Sequence, residues 1–347
     1  MSLLDNKQYR ACVSKITKDL PFQGERILVT GATGLIGSCI IDTFLLHNMF
    51  SNNKYTIYAL SRNVNKLENR FGSQSEYLKY IEGDINNSFV FPTGLDYIIH
   101  AASNASPEMY IKYPVETIMT NVNGSLKVLE YCRTSKKTRV LFTSSFEVYG
   151  QGGKDEYEET DYGLIDLNLL RNCYPESKRV SEMLFRSYAA EYDVDIIITR
   201  LCSIYGATMS KNDSKAHAQF LRNALNNENI TLKSKGLQRR SYMCVFDAVS
   251  AILTVMFKGN SGEIYNIANC KSVASIADVA DTVAKVAGLQ VDYKISSKFE
   301  SNGYSRPQDC VLNTAKLDSL GWKGAYTLLD GIKVTYEILH GIFDDIS

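Results

Sequence analysis

Short apolar runs alternate with amphipathic stretches through the first two hundred residues. Ile27-Leu28-Val29-Thr30, Tyr97-Ile98-Ile99 and Ile196-Ile197-Ile198 are apolar without a polar alternate, the pattern of strands buried on both faces. The pattern predicts strands over 26–30, 56–60, 77–82, 96–100, 139–144 and 195–200. Helices are predicted over 38–47, 115–135 and 174–192, with a further amphipathic helix over 5–20 ahead of the first strand. Strands alternating with helices imply the α/β class, here a doubly wound parallel sheet of Rossmann type. Such a sheet gathers its ligands at the carboxyl ends of its strands.

Beyond about residue 205 the pattern loosens into short strands and helices separated by Gly, Asn and Ser clusters. The expected organisation is a dinucleotide-binding Rossmann domain over 1–204, with residues around 242–268 interleaved with it. A smaller C-terminal substrate lobe is expected over 205–347.

Composition narrows the function classes. The chain has 347 residues, of which 45% are hydrophobic and 22% charged, and Lys+Arg and Asp+Glu both total 38. A zero net charge offers no broad basic field for nucleic acid or an anionic membrane. The apolar runs are far below membrane-spanning length. The eight cysteines are scattered without a C-x-x-C pair, so no metal site is expected and a reducing compartment is. The polar N-terminus does not look like a targeting segment, so a cytoplasmic location is expected.

Three motifs carry the candidate chemistry. The first is the glycine loop Gly31-Ala32-Thr33-Gly34-Leu35-Ile36-Gly37, directly after the first apolar run. Glycines there allow a helix to approach a pyrophosphate closely and present its N-terminus to it. The second is Ser145, at the end of the fifth predicted strand. The third is Tyr174-Pro175-Glu176-Ser177-Lys178, whose Tyr and Lys lie one helical turn apart on one face. A free phenol is a poor base at neutral pH, and a neighbouring ammonium is expected to lower its pKa. Tyr174 would then take a hydroxyl proton while the carbinol carbon gives hydride to a nicotinamide, with Ser145 bonded to the reacting oxygen. Alone, Tyr-x-x-x-Lys would describe an ordinary helix face. After a glycine loop and a strand-end serine it describes a redox site.

The rest of the NAD(P) site follows from strand ends. Asp84, after the third strand, would meet the adenine, and Ala101, Ala102 and Ser103, after the fourth, would line the cofactor's middle. The second strand ends in Leu60-Ser61-Arg62 with no carboxylate for a ribose hydroxyl. A hydroxyl and an arginine there favour NADP over NAD.

Together these residues resemble the extended short-chain dehydrogenase/reductase family acting on nucleotide sugars, from Gly31 to about Gly331. Within it the chain looks most like UDP-glucuronate decarboxylases. The runs that carry the likeness are Ala101-Ala102-Ser103-Asn104-Ala105-Ser106-Pro107, Tyr113-Pro114, Thr120-Asn121-Val122-Asn123-Gly124, Ser145-Phe146-Glu147-Val148-Tyr149-Gly150 and Arg171-Asn172-Cys173-Tyr174. The resemblance implies that Thr33, Leu35, Ile36, Ile85 and Asn121 join the cofactor set. It implies that Glu147 acts with Ser145, Tyr174 and Lys178, since the family's lyases carry a glutamate there and its 4-epimerases usually do not. It also implies that Ser106, Arg171, Ser203, Arg240 and Arg306 contact a nucleotide-sugar substrate. Arg240 and Arg306 would take the diphosphate, and Arg171 a carboxylate.

Two departures stand out. Phe146 replaces the aspartate of the dTDP-glucose 4,6-dehydratases, and Ser203 replaces an asparagine in Arg200-Leu201-Cys202-Ser203-Ile204-Tyr205-Gly206. The implied reaction is a decarboxylation or dehydration through a 4-keto sugar, with 4-epimerisation as the alternative. A non-catalytic NAD(P)-binding protein is the remote one. The family's homodimer, a four-helix bundle, would use Val122, Leu126 and Leu129 with Val180, Leu184 and Tyr188.

Overall fold

The computed structural model describes residues 2–18, 21, 24–87, 89–295 and 309–344. The first half runs α1 (Lys7–Thr17), β1 (Arg26–Thr30), α2 (Leu35–Phe50), β2 (Thr56–Ser61), α3 (Val64–Phe71), β3 (Leu78–Glu82), β4 (Tyr97–His100), α4 (Pro107–Lys112) and α5 (Pro114–Ser135). It continues through β5 (Arg139–Ser145), β6 (Glu156–Tyr157), α6 (Cys173–Tyr192), β7 (Ile196–Leu201) and β8 (Ser203–Tyr205). Then come α7 (Ala216–Leu225), β9 (Ile230–Leu232), β10 (Arg239–Cys244), α8 (Val245–Lys258), β11 (Ile264–Ile267), β12 (Val273–Ser275) and α9 (Ile276–Ala287). The chain closes with β13 (Val291–Tyr293), β14 (Val311–Leu312), α10 (Ala315–Asp318) and α11 (Leu328–Asp344).

Seven strands form one parallel sheet in the order β11-β7-β5-β4-β1-β2-β3. The order reverses between β1 and β4, which opens a crevice at their carboxyl ends. The fold is therefore the doubly wound Rossmann type. The apolar runs explain why both faces are covered. Ile27, Val29, Leu141 and Ile197 face one core, filled by residues of α1, α2 and α8. Leu28, Ile98, Val140, Phe142, Ile196 and Ile198 face the other, filled by Val128 and Leu129 of α5 and Phe185 of α6.

The first helix of the sheet begins at Leu35 rather than 38, because Gly34 already serves as its N-cap and the glycine loop is a single turn. The N-terminal helix is shorter than its amphipathic pattern. Within it Tyr9 donates to the buried carboxylate of Asp42 at 2.6 Å, and Arg70 of α3 pairs with the same carboxylate. Those bonds fasten α1 to the sheet's cover.

After β7 the chain builds β8, α7, β9 and β10, then returns through α8 and β11 to the edge of the large sheet. It leaves again through β12, which pairs antiparallel with β10, while β8 pairs parallel with β10. This three-stranded sheet stands over the carboxyl ends of the large one. Thr208 Oγ1 donates to the Leu35 carbonyl at 2.6 Å and ties the overhang to the glycine loop. Among the described residues no helix is long and apolar enough to cross a membrane.

Candidate active site

The glycine loop is held against the start of the β4–α4 connection. Gly31 has φ +68°, and a Cβ there would lie 2.7 Å from the Ala101 carbonyl oxygen. A Cβ on Gly37 would lie 2.4 Å from the Gly31 carbonyl oxygen. Both positions therefore require glycine, the first for its backbone as well as its space. Thr30 explains how the second wall is fixed. Its Oγ1 accepts from the amides of Ala101 and Ala102, each at 3.1 Å, and so donates its own proton to His100 Nδ1 at 2.9 Å. His100 is fully enclosed; burial first, then the Lys178 charge, hold it neutral by lowering its pKa to about 3.

Two concavities meet over this loop. One, about 200 Å³, is lined by Thr33, Ser61, Arg62, Asp84, Ile85 and Ala102, together with Gly31, Gly34, Ala101 and Ser103. The other, about 280 Å³, shares those last four and continues along Leu35, Ile36 and Gly37 to the sheet's fifth strand. The close glycine cradle and the uncapped amides at the start of α2 fit a dinucleotide laid across the switch point.

β5 delivers Ser145 into the larger cleft, where its Oγ accepts from the Glu147 amide at 3.2 Å and starts a 3-10 turn over Phe146–Tyr149. A second 3-10 turn, Leu170–Asn172, leads into α6 and brings Arg171 to the same place. Arg171 Nη2 donates to Glu147 Oε2 at 2.6 Å, with both side chains mostly enclosed. Each partner lies two or three residues from a member of the Ser–Tyr–Lys set, so closing one group closes the other. Tyr174 and Lys178 follow on one face of α6, and Lys178 Nζ donates to the Thr143 carbonyl at 2.7 Å.

The electrostatics differ from the sequence expectation. The protein's own groups push the Tyr174 phenol up, by burial first and then by the Glu147 carboxylate. Hydrogen bonds from Ser145 and Tyr110 and the Arg171 charge oppose that rise without cancelling it. The Lys178 pKa itself falls to about 7 through burial, partly countered by Glu182. Enclosure thus dominates the pair attraction that spacing alone suggested.

The expected site residues divide by place. Ser145, Glu147, Tyr174, Lys178, Arg171, Ser203 and Arg240 line the larger cleft. Arg240 comes from β10 and lies over the Phe146 ring at 5.8 Å. Asn121 is fully buried and reaches the cleft only through Ser103, whose Oγ donates to its Oδ1 at 2.8 Å; its Nδ2 is taken by Ser177. Ser106 turns to Ser214, with their hydroxyls 2.8 Å apart, and lines neither concavity. Arg306 lies outside the described residues.

Other residues join the cleft without having been singled out. Tyr110 of α4 stacks on Tyr174 with ring centroids 4.5 Å apart and planes at 13°, and the Arg171 guanidinium lies 5.7 Å from its ring. Lys215 and His217, at the start of α7, and Tyr242 of β10 line the far end. Tyr110 lies three residues beyond the Ala101–Pro107 run, in the short helix that Pro107 starts, but nothing in the sequence there says the ring will meet Tyr174.

Residues 27–268 match the model of the NAD dependent epimerase/dehydratase family. UDP-glucuronic acid decarboxylase 6 of Arabidopsis thaliana is 31% identical over 319 residues, covering 90% of this chain and 88% of its own. UDP-glucuronic acid decarboxylase 3 of the same plant is 30% identical over 321 residues with the same coverages. Among solved structures, UDP-N-acetylglucosamine 4-epimerase from Methanobrevibacter ruminantium M1 superposes with a TM-score of 0.78 at 20% identity, over 94% of this chain and all of that one. dTDP-glucose 4,6-dehydratase from Bacillus anthracis, in complex with NAD, gives 0.74 at 23%, over 92% and 98%. The two structures share the fold.

Proposed function

Because this chain belongs to the NAD-dependent epimerase/dehydratase family, we propose that it is a nucleotide-sugar lyase working through a 4-keto intermediate, with a UDP-glucuronate-type sugar as substrate and decarboxylation as the reaction. The observation that carries the reading is the enclosed Glu147–Arg171 pair beside Tyr174 and Ser145. A guanidinium at that place can exchange its internal carboxylate for one on the substrate.

Gly31, Gly34 and Gly37 would hold the dinucleotide's phosphates, Asp84 and Ile85 its adenine end, and Lys178 the nicotinamide ribose. When bound, NAD supplies the acceptor and later the donor of the C4 hydride, and a positive ring charge that the phenol otherwise lacks. Ser145 and Tyr174 hold the sugar's C4 hydroxyl, and Tyr174, as the phenolate that this positive charge would favour, takes its proton. The ketone so formed lies β to the C5 carboxylate. Loss of CO2 leaves its bonding pair on C5, delocalised onto the C4 oxygen. A proton from water then adds at C5, and Tyr174 returns its proton as the ketone is reduced. The cycle is redox-neutral. Tyr110, packed flat on Tyr174, fixes the ring's plane for both transfers.

A second reading, 4-epimerisation of a neutral sugar, draws support from the same pair. Arg171 already has a carboxylate within the chain and needs none from the substrate. Incubation with UDP-glucuronate and NAD separates the readings. A product lighter by the mass of CO2 is expected; an unchanged mass with an inverted C4 would overturn the lyase reading.

Two finer points belong here. Arg62 and Ser61 line the adenosine end, where Asp84 is the only carboxylate among the described lining residues. That supports NADP as the preferred form, tested by comparing the two cofactors' dissociation constants. Val115, Met119 and Leu126 of α5 and Val180 and Met183 of α6 are exposed apolar side chains on adjacent helices. They support a homodimer through those helices. Leu129 belongs to the chain's own core and is not part of that face.

A further inference from the structure

Directly beneath the cleft floor lies a buried charge cluster that the chemistry above does not use. Glu182 is one turn beyond Lys178 on α6, and both are enclosed. Arg200 of β7 grips Glu182 with two nitrogens, Nε at 3.1 Å to Oε1 and Nη2 at 2.7 Å to Oε2. Ser144, next to Ser145 in β5, donates to Glu182 Oε1 at 2.5 Å. Arg200 is itself fixed by the Glu159 carbonyl at 2.8 Å and by the Tyr149 ring at 4.8 Å. A buried ion pair is weak evidence for stability, since desolvation offsets most of its attraction. Its place is more telling: the carboxylate belongs to the same helix as Lys178, one turn away, and the guanidinium to strand β7.

We propose that Glu182 is a positioning residue for the reaction, holding Lys178 in its protonated form through an oriented Glu182–Arg200 pair clamped by Ser144. The other groups facing Lys178 do not do this. From β5 come the Thr143 carbonyl, at 2.7 Å, and the Phe142 ring, at 4.6 Å. From β4 comes His100, neutral but repelling Lys178 if protonated, and from α6 comes the neutral phenol of Tyr174. Burial alone drives the Lys178 ammonium toward deprotonation near neutral pH, and Glu182 is the group that acts against it. The Ser144 hydroxyl also couples this cluster to the strand end that presents Ser145. The inference rests on the reading of Lys178 as the cofactor-holding cation, but not on which sugar is processed.

The test titrates Lys178 in the free protein by NMR of 13Cε-labelled lysine, its resonance identified by its loss in Lys178→Met. In Glu182→Gln the midpoint is expected to fall by on the order of one pH unit. Glu182→Asp, which keeps the charge, is expected to hold most of the wild-type value. The double variant Glu182→Gln/Arg200→Gln removes both charges and leaves two amides able to bond, so it serves if the single variant does not fold. Its midpoint is also expected below wild type, because Glu182 is the charge of the pair that favours the ammonium. An unchanged midpoint in a folded Gln variant, even with a lowered melting temperature, would reduce the cluster to a structural role and overturn the proposal.

Discussion

Replacing Lys178 with methionine should change stability with opposite signs at the two ends of the pH scale. Lys178 is fully enclosed, and its pKa falls from the ordinary 10.5 to about 7. At about 1.4 kcal/mol per unit, holding the ammonium in the fold costs about 5 kcal/mol wherever both folded and unfolded chains are protonated. Methionine removes that cost but leaves the Thr143 carbonyl without its 2.7 Å donor, a loss of about 1–3 kcal/mol. Below pH 7, Lys178→Met should therefore be more stable than wild type by about 2–4 kcal/mol. Between pH 7 and 10.5 the unfolded chain binds a proton that the folded chain does not, so wild-type stability rises with pH. The variant lacks that rise. Near pH 10.5 most of its advantage is gone and the lost hydrogen bond dominates, leaving it less stable by about 1–3 kcal/mol. Urea denaturation at pH 6.5 and pH 10, followed by the fluorescence of Trp322, the chain's single tryptophan, measures both ends. A stability difference of one sign and constant size across that range would refute the reasoning.

Tyr174→Phe should keep the fold and lower kcat by about 10²–10⁴, since it removes the proton-transfer group while leaving the stack on Tyr110; binding of the nucleotide sugar by calorimetry should change little. Gly37→Ala should abolish dinucleotide binding, because its Cβ would lie 2.4 Å from the Gly31 carbonyl oxygen and force the loop open. The same variant should lose about 1–3 kcal/mol of stability by overpacking, read from its melting temperature. Leu126→Glu with Met183→Glu should shift the molecular mass by light scattering from dimer to monomer, while wild type stays dimeric at micromolar concentration.

Which parts of this molecule could be read from its sequence follows from the range over which each signal acts. The parallel sheet was legible because Ile27–Thr30 and Ile196–Ile198 are apolar on both faces, a local pattern with one structural solution. The glycine loop was legible because Gly37 answers a steric demand from Gly31 within seven residues and Gly31 a positive φ of its own backbone. The electrostatic state of Tyr174 was not, because it depends on enclosure and on Glu147, which is remote in sequence. Tyr110, Glu182 and His217 were missed for a similar reason. Each owes its place to a chain segment folded over it, and helical or strand periodicity carries no record of that. Leu129 marks the opposite error: on a long helix buried on one side, an apolar residue belonging to the core was assigned to an outer face.

The return of the chain to β11 bears on how such a protein can be re-engineered. The overhang above the cleft is not a terminal appendage, since α8 and β11 lie between its pieces and complete the edge and one cover of the large sheet. A transplant that exchanged everything after β7 would strip the recipient of an edge strand and a core helix along with the proposed substrate contacts. Exchange of specificity therefore has to be made in separate patches, at Ser203–Tyr205, Ala216–Leu225 and Arg239–Cys244, with Val245–Ile267 left in place. A library built on that division keeps the dinucleotide floor constant and varies the ceiling.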